Sequence, residues 1–64
     1  MKSWAMEAVE KYGLALGAFS DELRADREVV LSAVRQKGSA LEFSANELRA
    51  DVEVAQAAVD AEGA

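Results

Sequence analysis

A chain of 64 residues without cysteine, histidine or proline is one small domain with a thin core that no disulfide reinforces. It also lacks the usual zinc ligands and the Cys-His and Ser-His-Asp groupings of nucleophilic catalysis. Twelve acidic against seven basic residues leave a net charge of −5. The basic residues are scattered singly, so no positive stripe exists to bind a phosphate backbone and no nucleic-acid partner is expected.

Reading along the chain, Met1-Lys2-Ser3-Trp4-Ala5-Met6-Glu7 meets an acid before any apolar h-region forms. No secretory signal is expected there, and the expected location is intracellular. Ala5, Ala8, Val9 and Tyr12 fall at helical spacing and predict a first helix over 3–12. The uncharged stretch Gly13 to Ser20 is far too short to span a bilayer, so no membrane insertion is expected.

From Val9 onward the chain repeats itself. Residues 9–34 laid over 34–59 give 13 identities in 26 aligned pairs without a gap. A strict period of this size marks stacked supersecondary units that cannot bury their apolar faces alone. Leu14, Ala15, Leu16 and Phe19 predict a short helix in the first copy, and Ala40, Leu41 and Phe43 its counterpart in the second. Phe19 lies three positions after Leu16 whereas Phe43 lies two after Leu41, so the two short helices need not bury the same face. Ser44-Ala45-Asn46-Glu47 has the spacing of a capping box and predicts a brief helical turn through Leu48, a signal the first copy lacks.

Asp26 and Asp51 stand where the later long helices should begin, with Glu28 and Glu53 in the turns that follow. A carboxylate at N-cap accepts from an orphaned backbone N–H, and a further acid in the first turn suits the positive end of the helix dipole. The apolar series Val29, Val30, Ala33, Val34 and Val54, Ala55, Ala58, Val59 then predict helices over 27–37 and 52–62. Gly13, Gly38 and Gly63 each follow the last strongly apolar position by four residues. That spacing predicts helix stops with a left-handed backbone at Gly13 and Gly38. The expected fold is all-α: a helical-repeat, solenoid-like array of three longer and two short helices, forming one domain over residues 1–64.

The run Leu23-Arg24-Ala25-Asp26-Arg27-Glu28-Val29-Val30-Leu31-Ser32-Ala33-Val34, continued by Gly38-Ser39-Ala40-Leu41-Glu42-Phe43 and Leu48-Arg49-Ala50-Asp51, resembles domain of unknown function 4116. The resemblance covers nearly the whole chain and implies a helical-repeat array, with no activity, cofactor or catalytic residue attached. The chain departs from that pattern at Phe19, displaced by one position, and at Ala55-Gln56 in place of Val30-Leu31. The second change thins the apolar face of the last helix.

Candidate functional residues are few. Arg24 and Arg49 recur at equivalent positions and would either fork onto a partner's carboxylates or pair with Glu28 and Glu53 of their own repeats. Trp4 falls in register with Val29 and Val54 and is open to two roles, core packing or interface anchor. With Met6 and Val9 it makes the first helix rich in large apolar groups, whereas Gln56, Asp60 and Glu62 make the last one polar. Asp21-Glu22 is the densest acidic pair, but neighbours on a short polar connection do not converge across a cleft as glycoside hydrolysis requires. No calcium-loop pattern occurs, and no catalytic, cofactor or metal residue is assigned. The leading expectation is a non-catalytic protein-interaction or scaffolding module, or a small subunit of a larger assembly, acting through a protein partner or self-association at Trp4, Met6, Val9, Arg24 and Arg49. The alternatives are a self-contained or designed structural domain without a natural partner and, as an outlier, an enzyme using carboxylates alone.

Overall fold

The computed structural model describes residues 2–63. Seven helices and no strand occur among them. Three long helices, α1 (Ser3–Lys11), α3 (Arg27–Gln36) and α5 (Val52–Gly63), alternate with shorter pieces. Each return stretch holds a short helix followed by a single turn, and the turn was expected only in the second copy. The first has a 3-10 segment at Gly13–Ala18 followed by the single turn α2 (Asp21–Arg24), and the second has a 3-10 segment at Gly38–Phe43 followed by the single turn α4 (Asn46–Arg49).

The aspartate caps form as their positions predict. Asp26 Oδ1 accepts from the N–H groups of Glu28 and Val29 at 3.0 and 3.3 Å. Asp51 Oδ1 accepts from Glu53 and Val54 at 2.9 and 3.2 Å. From these starts the α3 stripe runs as expected, with Val29, Val30, Ala33 and Val34 buried; on α5 Ala55 and Val59 of the expected stripe are not buried, and only Val54 and Ala58 are. Together with Ala5 and Val9 of α1, Leu16 and Ala40, they make one continuous core.

The three long helices lie side by side and point the same way. Lys2, at the N-cap of α1, bonds Asp26 at the N-cap of α3. At the opposite end Gln36 Nε2 donates to the carbonyl of Lys11 at 3.2 Å, and Gln36 Oε1 accepts from the Gly13 N–H at 2.8 Å. Helix α3 lies between α1 and α5 and contacts both, while the two 3-10 segments pack against it and against each other as a second layer.

Gly13 and Gly38 stand just beyond the ends of α1 and α3 as their spacing predicts, but without the left-handed backbone expected there. No glycine among the described residues has a positive φ, and Gly63 is the last helical residue rather than a stop beyond α5. Gly13 and Gly38 instead open the 3-10 segments where these press on the backbone of the next long helix. A Cβ on Gly13 would stand 2.6 Å from the Ala33 carbonyl oxygen, and one on Gly38 would stand 2.7 Å from that of Ala58 and collide with Glu62. Glycine is required here by a neighbour's backbone, not by its own dihedral angles.

The predicted capping box also resolves differently. Ala45 is the N-cap of α4 and offers no side-chain bond, while Ser44 turns inward and its hydroxyl donates to the Leu41 carbonyl at 2.8 Å. The serine that caps a single turn is Ser20, whose Oγ accepts from the Leu23 N–H at 3.4 Å.

Candidate interaction surface

The residues singled out in the sequence do not form one patch. Val9 is fully buried in the core, so it presents nothing to a partner. Met6 is half-buried, its sulfur accepting from the Ser32 hydroxyl of α3 at 3.9 Å. Both side chains belong to the α1–α3 contact. Trp4 behaves otherwise: Val29 and Val54, its register mates, are fully buried, whereas Trp4 is 58% exposed and rests edge-on against Phe19, with ring centroids 5.4 Å apart. Such a T-shaped pair fixes the indole without covering it. Tyr12 and Leu14, at 73% and 48% exposure, are further large apolar side chains left open at the far end of α1.

The two repeated arginines keep to their own turns, but with partners other than those expected. Arg24 pairs with Asp21 and Arg49 bonds Asn46 Oδ1 at 2.5 Å, each three residues back along a single turn. Glu28 and Glu53 are occupied elsewhere. Arg24 also borders a shallow recess of about 280 Å³ with Asp21, Phe43, Ser44, Ala45 and Asn46. Its Nε is buried without an acceptor.

A charge pattern that links the long helices lies at positions 2 and 27, which sequence reasoning passed over. Lys2 Nζ bonds Asp26 at 2.8 Å and Glu28 at 2.7 Å. One repeat later Arg27 bonds Asp51 at 2.5 Å and also Glu53. Each base reaches from the start of one long helix to the cap and first turn of the next, making two equivalent rungs. The Lys2 ammonium, assisted by the Val29 and Glu28 N–H groups, holds Asp26 below its ordinary value of 3.8. The Arg27 guanidinium, with the Val54 and Glu53 N–H groups, does the same for Asp51. In return Asp26 and then Glu28 hold the Lys2 ammonium above its usual 10.5. The recurrence of a base at 2 and 27, 24 and 26 residues before paired acids, was the signal that could have disclosed the rungs.

At the other end of the stack Val52 takes the register position of Lys2 and Arg27 and is 82% exposed. With Gln56, Ala57, Asp60, Ala61, Glu53 and Arg35 it lines an open groove of about 720 Å³. Val59 stands 61% exposed although Val9 and Val34, at its register positions, are fully buried. Across all these surfaces no group of three or more metal-ligating side chains converges among the described residues. No helix there is long and apolar enough to cross a membrane.

Comparison with known proteins adds a family and no activity. None of the curated proteins and none of the solved structures matches the chain. The profile of a domain of unknown function, DUF4116, matches residues 5–49 and again residues 26–60. With most of its length covered by those matches, the chain belongs to the DUF4116 family.

Proposed function

We propose that this domain is a non-catalytic protein-interaction module, a short solenoid-like scaffold that engages a protein partner through the face around Trp4. The observation that carries this reading is the contrast at one register position, where Val29 and Val54 are fully buried and Trp4 is 58% exposed. A large aromatic held in place by Phe19 yet open to solvent loses little side-chain entropy on binding, which is why tryptophan is enriched among interface anchors. The net charge of −5 favours a protein partner over a nucleic acid. The carboxylates support the same reading, because the rungs and caps engage Asp26, Glu28, Asp51 and Glu53 structurally.

Trp4 is the only tryptophan, so its fluorescence reports its own environment. The immobilised domain and its Trp4→Ala variant are compared for the proteins they retain from the native source, with thermal melting measured in parallel. Retention should fall in the variant while melting changes little, and a purified retained partner should shift the Trp4 emission. Identical retention by both, with no emission change, would remove the basis of this reading.

A further inference from the structure

The long helices cover one another by a fixed rule. The strip of α1 formed by Lys2, Met6 and Val9 is covered by α3, and the matching strip Arg27, Leu31 and Val34 of α3 is covered by α5. The covering strip on α3 includes Glu28, Ser32 and Gln36, whose polar contacts with Lys2, Met6 and Lys11 join residues 25 or 26 positions apart. On α5 the strip to be covered is Val52, Gln56 and Val59, with Asp60 beside it, and all four residues are exposed. On α1 the covering strip is Ser3, Glu7 and Lys11 with Trp4 beside it, and these too are exposed. The described residues therefore present two unmatched halves of one helix contact, at opposite ends of the stack.

We propose that the domain associates head to tail with a second copy of itself, the free strip of α5 receiving the free strip of α1 from the next molecule. This rests on the interaction-module reading and gives its partner an identity. Carrying the same offset into a second copy sets Gln56 opposite Glu7, Asp60 and Ala61 opposite Lys11, and Val52 opposite Ser3. The amide–carboxylate and carboxylate–ammonium pairs are complementary, and none of the three brings like charges together. Trp4 of the incoming copy sits at the register position that is buried in α3 and α5. Such a contact is heterologous, so it propagates as an open chain or closes into a ring and does not pair two copies about a two-fold axis. A single helix face buries much less than the ~800 Å² per partner of a standard interface, so association is weak and shows itself at high micromolar to millimolar concentration.

The chain has no cysteine, which allows a directional test. Single Glu7→Cys and Gln56→Cys variants, both at exposed positions, are treated with a short bismaleimide alone and as a mixture, after melting curves show each is folded. The mixture should cross-link several-fold faster than either variant alone, and the double variant should give a ladder of oligomers. Adding Lys11→Glu to the Glu7→Cys partner should slow cross-linking by up to about fivefold, the range of an exposed ion pair. Asp60→Lys on the other partner should restore it. Faster cross-linking of either single variant with itself would show a two-fold contact, and equal rates in all three reactions would show no specific contact; both results overturn the proposal. If cross-linking fails while Trp4→Ala still abolishes retention of another protein, the interaction-module reading stands and only the second copy is lost as the partner.

Discussion

The two 3-10 segments share their backbone but fill their buried face differently. In both, the third residue donates to the carbonyl before the segment, Ala15 to Tyr12 and Ala40 to Lys37, each at 2.9 Å. Side chains three apart eclipse one another in a 3-10 helix. In the first segment Gly13, Leu16 and Phe19 therefore form one row, in which Gly13 and Leu16 are buried and Phe19 packs on the core. In the second the aromatic arrives one residue early and joins the row Lys37, Ala40, Phe43. Ala40 is then fully buried, Leu41 only half-buried, and Ser44 fills the end of the Gly38–Leu41 row by bonding the Leu41 carbonyl. In a helix of period three, displacing one large side chain by one position changes which of its neighbours enters the core. Sequence identity at Ala15/Ala40 and Leu16/Leu41 does not protect against this.

The largest test of that contrast is leucine truncation in each copy. Leu16→Ala should cost about 2–5 kcal/mol, the range for a fully buried leucine, while Leu41→Ala, half-buried, should cost clearly less in denaturant titration. Equal losses would sink the row account. Next comes Gly38→Ala. Its methyl would meet the Ala58 carbonyl oxygen at 2.7 Å, and overpacking against a backbone costs about 1–3 kcal/mol. Gly13→Ala should behave alike, because the same close approach exists in both copies. A stabilised Gly38→Ala protein would show that the α5 backbone gives way freely.

Smaller effects separate capping from the rungs. Asp26→Ala should lose about 0.5–2 kcal/mol, and Asp26→Asn should recover most of the cap while weakening the bond to Lys2. A loss from Asp26→Asn as large as from Asp26→Ala would put the rung ahead of the cap. Acid acts on the same residues. Asp26 and Asp51 have folded values below 3.8, so their contribution is fully present above that pH and is lost as pH falls through the lowered values. Lys2 has the opposite sign, its contribution being present below 10.5 and lost as pH rises through its raised value. Stability followed from pH 7 to 2 should therefore fall chiefly below about 4, and less steeply in Lys2→Met. The smallest difference should lie between serines: Ser44→Ala, losing a bond of 2.8 Å at a buried site, should cost about 1 kcal/mol. Ser20→Ala, losing one of 3.4 Å at an exposed site, should cost less.

Much of this fold was legible in the sequence. The bounds of the long helices, the aspartate caps and the valine stripe of α3 followed from spacing, because each is a local relation within one helix. The glycines misled because two different needs select the same residue: a left-handed backbone and a close approach leave identical marks in one sequence. The rungs escaped notice because Lys2 and Arg27 lie outside the identities of the two copies; the chemistry recurs but the residue type changes. Val9 was misplaced with the exposed apolar groups because its cover, α3, is supplied from a full repeat away. Trp4 resisted because its register mates are fully buried while it is not, so register alone left core packing and an interface role both open.

Parallel long helices impose a geometric debt on the return stretches. At about 1.5 Å per residue, α3 (Arg27–Gln36) carries the chain some distance along the stack. Residues 37–50 must bring it back the same distance, or Arg27 and Asp51 would not meet at one rim. Outward and return paths therefore form a closed circuit, and lengthening either alone would shear the next helix along its neighbour and pull rung, core and glycine contacts out of step together. Insertions within a unit should be confined to matched pairs, leaving whole circuits of 25 residues as the natural step by which such a chain grows or shrinks.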